Sequence, residues 1–336
     1  MRRALPLAGG ALLLALLLSM GARGVWRHAG APAAPDTVMV VPPGASSRAI
    51  ARQLHGAGVL TSPRVFVWGL RLAGAADELR AGRYRFRRPS SPAQLARQLR
   101  AGSTEKVWLT LPEGLWLDEA VAQIAAQLDL DSLELAAAVR DPARWPSHDF
   151  LAGRPNLEGF LLPETYALEY PVTPDGVLRV LLDAFDRSVT LLRGQAPPGW
   201  TLDTLDWTTL ASIVEAEAQL AEERPRIAAV YLNRLARGMK LEADPTVMYA
   251  LGRRKPRLYF KDLAVDSPYN TYLNAGLPPG PICSPGRASL AAPLAADPAD
   301  SSLYFVADGQ GGHRFSATFA EHQRNVAALR RLQNGR

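Results

Sequence analysis

Residues 4–22, ALPLAGGALLLALLLSMGA, contain no charged side chain. A run this apolar must leave water, and its length is near the lower limit for a helix that spans a bilayer. It is longer than the apolar region of an ordinary cleaved signal peptide, so an uncleaved anchor is favoured over a cleaved signal. Arg2 and Arg3 precede it; Arg23, Trp26 and Arg27 follow. The leading arginines favour a cytoplasmic N-terminus, Arg23 and Arg27 weaken that bias, and Trp26 suits the interface. The expected division is a cytoplasmic tip at 1–3, a transmembrane helix at 4–26 and a linker at 27–36. The remainder lies outside the cytoplasm.

At 336 residues the chain is long enough for two domains. Hydrophobic content of 48% with 21% charge is that of a folded globular protein. The net charge of +6 is compatible with nucleic acid, anionic lipid or an anionic polymer. Basic clusters are short, RYRFRR at 83–88 and GRRKPR at 252–257, and there is no zinc spacing, P-loop or nucleic-acid motif. GRRKPR reads first as a solvated loop, with contact to an anionic polymer as the alternative. The single cysteine, Cys283, excludes an internal disulfide and cannot alone make a tetrahedral metal site. No metal, organic cofactor or nucleic-acid partner is expected.

Residues 37–130 hold a loose internal repeat. TVMVVPPGASSRAIARQL (37–54), YRFRRPSSPAQLARQL (84–99) and VWLTLPEGLWLDEAVAQIAAQL (107–128) each read as strand, turn and helix. Units this small cannot bury a core alone and should pack on one another. They resemble LysM-like modules, which bind glycans; a structural spacer is the alternative.

From about residue 131 helical patterns dominate. The most informative is ASIVEAEAQLAEERPRIAAVYLNRL, which begins at Ala211. A helix over 207–222 is expected, with an apolar stripe through Leu210, Ile213, Val214, Leu220 and Ala221. Glu217 falls inside that stripe, whereas Glu215 groups with Gln219, Glu222 and Arg226 on the side a solvated face would use. Burial disfavours a charged carboxyl, and one held protonated near neutral pH can serve as a general acid. The bland alternative is a buried Glu217 paired with Arg224 or Arg234. Pro225 suits the first turn of a second helix ending at Gly238. Asp244 and Pro245 read as N-cap and first residue of another helix, ending at Gly252. The segment DSPYNTYLNAGLPPGPICSPG (266–286) is too rich in Pro and Gly for regular structure. It could present amides and phenols to a sugar, or be a well-packed surface loop. SLYFVADGQGGHRFS (302–316) reads as a β-hairpin, and Thr318 with Glu321 forms a capping box for the last helix. His313 and His322 read as structural before catalytic.

Taken in order, LEGFLLPETY, ASIVEAEAQ, ERPRIAAVYLNRLARGMKLEADPTVMYALG, SPYNTYLNAGLPPGPICSPG and LYFVADGQGGHRFSATFAEHQRNV resemble the endolytic murein transglycosylase family, the YceG-like proteins. The resemblance covers roughly residues 37–330. It implies an α+β fold: the N-terminal transmembrane helix, a small LysM-like α/β subdomain at 37–130, and a larger, mainly helical YceG-like catalytic domain at 131–336 carrying a β-hairpin. It implies a single-pass inner-membrane protein with its catalytic part in the periplasm, acting on peptidoglycan glycan strands, with peptidoglycan synthases as candidate partners. The implied reaction is cleavage of nascent strands between MurNAc and GlcNAc, leaving 1,6-anhydro-MurNAc ends and terminating elongation.

The family's catalytic glutamate is the second Glu of a motif resembling I-V-E-K-E-T, which falls on Glu217. The Lys and Thr of that motif are Ala216 and Ala218 here, so Gln219 or Asn270 would have to replace the threonine hydroxyl. Ser284 stands where an Asn or Thr is usual and would cap a helix beginning at Pro285. Tyr269, Asn270 and Tyr272 are the candidates for holding glycan and oxocarbenium-like centre, with Glu164, Asn233 and Arg234 as further substrate contacts. Glu158, Glu164 and Asp244 are the candidate second carboxyls, Asp244 being better explained as a helix cap. Two alternatives remain: a muramidase hydrolysing the same bond, and a catalytically silent glycan-binding scaffold.

Overall fold

A computed structural model of the chain describes residues 21, 24–27, 36–86, 90–102 and 105–334. The expected span at 4–26 and linker at 27–36 lie largely outside these residues. Among the described residues no helix is long and apolar enough to cross a membrane. The architecture of the described residues is mixed α and β, mostly helical, with three two-stranded sheets among them. By contacts the chain forms two units, 1–108 with 167–172, and 109–166 with 173–336.

In the first unit, β1 (Thr37–Val41) alternates apolar side chains in and out: Met39 and Val41 are buried, Val38 and Val40 exposed. It pairs antiparallel with β2 (Gly82–Phe86), which turns Tyr84 and Phe86 inward. Three helices close the inner face: α1 (Ser47–Gly56), α2 (Pro63–Leu72) and α3 (Pro92–Ala101). Each begins at a serine whose hydroxyl accepts a first-turn N–H: Ser46, Ser62 and Ser91. Their apolar stripes, Ile50–Leu54, Phe66–Leu70 and Leu95–Leu99, make one core with the strands. Sequence periodicity foretold both strands, α1 and α3, but gave no separate signal for α2.

Strand β3 (Val107–Thr110) pairs with β4 (Thr165–Leu168), and Leu109, Thr110, Thr165 and Tyr166 belong to the second unit. Then come α4 (Leu117–Leu128), α5 (Ser132–Val139) and the long α6 (Pro174–Arg193). The third strand-turn-helix unit read at 107–128 thus forms as β3 and α4, and most of it belongs here by contacts.

The centre is α7 (Thr204–Glu217), in which every residue from Trp207 to Val214 is buried. It packs against α8 (Arg224–Ala236), α9 (Asp244–Ala250) and α10 (Arg287–Ala291). The Trp207 indole donates to the Leu290 carbonyl at 2.7 Å, satisfying its polar end inside the core. The hairpin forms as β5 (Tyr304–Ala307) and β6 (His313–Ser316), and Thr318 and Glu321 cap α11 (Phe319–Asn334) reciprocally.

Two expectations for this region are corrected. The helix carrying the glutamates ends at Glu217, not 222, because Ala218 and Leu220 are extended and a short 3-10 turn reverses the chain into α8. Local propensity would have carried the helix through AEAQLAEE; packing α8 back on α7 overrides it. From Trp207 to Val214 the helix also has no solvated face, and in its last turn Ala216 is exposed.

Gly159 shows how tightly this unit is packed. Its φ is +83°, and a methyl group there would run into the Pro281 ring. Gly159→Ala is expected to destabilise by about 2–4 kcal/mol, read from the midpoint of denaturant unfolding.

Candidate active site

The burial of α7 decides where its two glutamates go. Glu215, expected at the surface, is nearly enclosed: it accepts from the Gly286 amide at 2.9 Å and pairs with Arg224 at 3.4 Å. It therefore serves the N-terminus of α10, the role the sequence gave to Ser284. Ser284 caps nothing; its hydroxyl is buried without a partner. Arg224 in turn reaches Ser289 and Glu113, so this group is a structural tie.

Glu217 sits at the last residue of α7. Neither arginine considered as its partner reaches it: Arg224 goes to Glu215, and Arg234 to Glu242. Among the described residues its one hydrogen-bond donor is the Tyr231 hydroxyl, at 3.0 Å from Oε1. Tyr231 comes from α8 and is itself buried. Burial pushes the Glu217 carboxyl up to about 7, the Tyr231 hydrogen bond opposes this, and the charge of Asp244 adds to it. A helix C-terminus also offers carbonyl oxygens rather than N–H groups, which disfavours a carboxylate. The side chain nonetheless keeps some exposure to solvent.

Asp244 is not an N-cap. Ala243 holds that position without a side-chain bond, and Asp244 instead accepts from the Tyr272 hydroxyl at 2.7 Å. Its carboxylate is exposed. The expected loop residue Tyr272 thus joins Glu217, Tyr231 and Asp244 in one group. Thr271 fixes that meeting: it takes the Ala243 amide on its hydroxyl at 3.0 Å and shares a 2.8 Å bond with Thr246. The Lys240 ammonium holds the Tyr272 carbonyl at 3.0 Å.

The other expected contacts support this group from behind. Asn270 is fully buried; its amide donates to the carbonyls of Leu263 and Val265, and its oxygen accepts from the Tyr272 amide. That leaves it no free donor for a sugar and makes it a staple of the loop. Arg234 donates to the carbonyls of Leu303, Lys240 and Leu241, fixing the turn that leads to Asp244. Asn233 spends both amide hydrogens on the carbonyls of Asp300 and Ser302. Glu164 forms an exposed ion pair with Arg287.

Tyr269 lies in a second cluster. Its ring meets Tyr249 at 4.9 Å, and Tyr249 meets Trp116 edge-on. Tyr249 also donates to Glu158, which takes the Leu117 amide as well. Burial raises the Glu158 carboxyl to about 7. Two carboxyls thus protonate near neutrality, and accessibility separates them, because Glu158 is buried at 6% exposure whereas Glu217 is open in part.

The remaining candidates are structural. His313 is bonded to Glu223 at 2.7 Å, and His322 stacks on Tyr304. The Cys283 thiol is buried, donates to the Ser212 carbonyl, and is pushed up by burial. In GRRKPR, Arg254 binds Glu119 and the Gly114 carbonyl, and Lys255 binds Asp262. Recess size does not locate the site: one of about 650 Å³ lies in the first unit without an acidic side chain.

Sequence reasoning missed Tyr231 and the bond between Asp244 and Tyr272. The available signal for Tyr231 was a phenol on the apolar face of a helix, a polar tip that needs a partner.

Comparison with known proteins gives a consistent result. The model of the YceG-like family matches residues 39–328. The endolytic murein transglycosylase of Bacillus subtilis is 32% identical over 298 residues, covering 84% of this chain and 82% of that protein. That of Streptococcus pneumoniae R6 is 30% identical over 318 residues, and the match spans 57% of its length. The crystal structure of a YceG-like protein from Listeria monocytogenes superposes with a TM-score of 0.59 at 32% identity, over 86% of this chain and 99% of that one.

The raised Glu217 carboxyl has a thermodynamic consequence. Below its ordinary value of 4.5 the group is protonated whether folded or not, and does not affect stability. As pH rises to about 7 the unfolded chain ionises first, so the group increasingly opposes folding. Glu217→Gln is expected to raise stability by about 3 kcal/mol at about pH 8 and to change it little near pH 4.5, in denaturant unfolding at the two pH values.

Proposed function

The chain belongs to the YceG-like family, and we propose that it is an endolytic murein transglycosylase that cuts peptidoglycan glycan strands with Glu217 as the single acid and base. One observation carries this: a carboxyl that no cation among the described residues neutralises, held at about 7 at the end of a buried helix and still reachable from solvent.

The proposed bond is that between MurNAc and GlcNAc in nascent strands. Protonated Glu217 donates to the glycosidic oxygen as the C1–O bond breaks. The MurNAc C6 hydroxyl oxygen then bonds to C1, and its proton passes to the Glu217 carboxylate. The strand ends in 1,6-anhydro-MurNAc, the enzyme regains its proton, and no water is consumed. A water-activating carboxylate of the kind that inverting hydrolases use is unnecessary. Tyr231 orients Glu217 through Oε1. The Asp244 carboxylate, fixed by Tyr272, keeps the proton on Glu217 and offsets positive charge developing at C1. Such a role needs only the family resemblance and this geometry. It does not need the lysine and threonine that Ala216 and Ala218 replace.

Anchoring by residues 4–26, a periplasmic catalytic part, a glycan-binding LysM-like first unit and pairing with a peptidoglycan synthase complete the reading. Support for the anchor comes from the uncharged run at 4–22. Support for the LysM-like module comes from the two strands with three helices on one face. The exposed Asp244 carboxylate favours one second reading, a muramidase in which it activates water.

Mass spectrometry of products from uncrosslinked glycan strands tests the reaction. Anhydro ends, lighter by one water than hydrolysis products, with at least about a hundredfold loss in Glu217→Gln, fit the transglycosylase. Reducing ends would establish the muramidase, and an unimpaired Glu217→Gln would remove Glu217 from the chemistry.

The pH profile tests the neighbours. Activity is expected to fall as pH rises through about 7, where Glu217 loses its proton. Asp244→Asn removes a charge that raises Glu217, so this limb moves to lower pH. Tyr231→Phe removes a bond that lowers it, so the limb moves up. Unmoved limbs in both variants would detach them from the titration.

A further inference from the structure

Charge is divided unevenly along the chain. Residues 1–108 contain sixteen Lys and Arg against four Asp and Glu, whereas residues 109–336 contain twenty-two against twenty-eight. The positive excess therefore belongs to the first unit, the part that adjoins the apolar run.

On that unit one face collects four arginines. Arg64, Trp68, Arg71 and Leu72 follow one another at helical spacing along α2, and α1 adds Arg48 and Arg52. The arginines, with Pro63, Val67 and Trp68, line an open recess of about 330 Å³. All four guanidiniums are exposed, and none has an acidic partner among the described residues. Trp68 is 57% exposed and Leu72 69%. Bare indole and leucine beside arginines form the combination that settles at a bilayer interface, apolar part inward and charge at the headgroups. The recess contains no acidic or amide side chain to accept from sugar hydroxyls.

The same helix holds Trp26, which follows the apolar run in sequence. The Trp26 indole lies against Gly69, where any β-carbon would collide with it, and its ring is 6.0 Å from that of Phe66. Trp26 packs on the core of this unit only a few residues after the run ends. Gly69 is the residue next to Trp68, so the face and Trp26 meet on one helix.

We propose that the arginine and tryptophan face of α1 and α2 rests on anionic phospholipid headgroups and sets the orientation of the first unit on the membrane. This rests on the reading of residues 4–26 as an anchor. Acidic lipid supplies phosphates for Arg48, Arg52, Arg64 and Arg71, and Trp68 and Leu72 enter the interface.

The test uses the full chain in nanodiscs of phosphatidylcholine, with or without phosphatidylglycerol, containing lipids brominated near the headgroup. The difference in emission between the wild type and Trp68→Phe isolates Trp68. Bromine quenching of that component is expected with phosphatidylglycerol, falling at least about threefold without it. It should fall equally when Arg48, Arg52, Arg64 and Arg71 are all changed to Glu. Circular dichroism checks the fold, and the four Arg→Gln changes replace this variant if it unfolds. A Trp68 open to aqueous acrylamide and untouched by bromolipid overturns the proposal, as does quenching indifferent to lipid charge. Shielding by soluble anionic glycan alone also overturns it and gives the face to glycan.

Flotation with vesicles separates the anchor from the patch, because salt at about 0.5 M screens the patch and not apolar insertion. Flotation at high salt with Trp68 in water keeps the anchor and sinks the proposal. Flotation at low salt only, lost on charge reversal, supports the face and removes the anchor. No flotation at either salt removes both.

Discussion

A carboxyl at the end of a buried helix, only partly open to solvent, ionises at a cost in free energy. That constraint organises the second unit. Glu217 follows the buried stretch Trp207–Val214, keeps only part of its surface in solvent, and meets a phenol rather than a cation. An arginine there would have held the charged form and removed the acid. The next arginines in sequence are occupied elsewhere, Arg224 by Glu215, Arg226 by Asp300, and Arg234 by backbone carbonyls and Glu242. Keeping cations off Glu217 is thus as much a part of the site as Tyr231 is.

The loop at 266–286 is ordered by the same economy of polar groups. A segment this rich in Pro and Gly cannot satisfy its backbone in ladders, so side chains must do it. Asn270 closes one turn, Thr271 ties the loop to the start of α9, and Lys240 holds the Tyr272 carbonyl. Only Tyr272 then projects a phenol to the site, where Asp244 receives it. The residues that looked like sugar contacts divide into one that reaches the site and several that hold it still.

Much of the local structure was legible. Alternating Val and Met in β1, the serine caps of α1 and α3, Pro225 at the start of α8, the hairpin around DGQGG and the Thr318–Glu321 box all act within a few residues of chain. Short-range hydrogen bonding and periodicity therefore suffice to read them. The oddity of Glu217 was also legible, because a glutamate among apolar residues is conspicuous whatever surrounds it. The environment of Glu215 was not, since its partner Gly286 lies 71 residues away. Asp244 before a proline looks like a cap in any sequence, and only the approach of Tyr272 shows its side chain facing elsewhere.

The sequence by itself determined many of the short-range elements, including both strands of the first sheet, the hairpin and the Thr318–Glu321 box, and the presence of one carboxyl in apolar company. Those follow from propensity and period, which are properties of neighbouring residues. The tertiary structure alone decided that α7 stops at Glu217, that Glu215 rather than Ser284 caps α10, and that Tyr231, Tyr272 and Asp244 gather around the carboxyl. Each of these depends on groups brought together across tens of residues. A carboxyl's proton affinity is set by what surrounds it in space, so the chemistry of Glu217 could be located in the chain but only weighed in the fold.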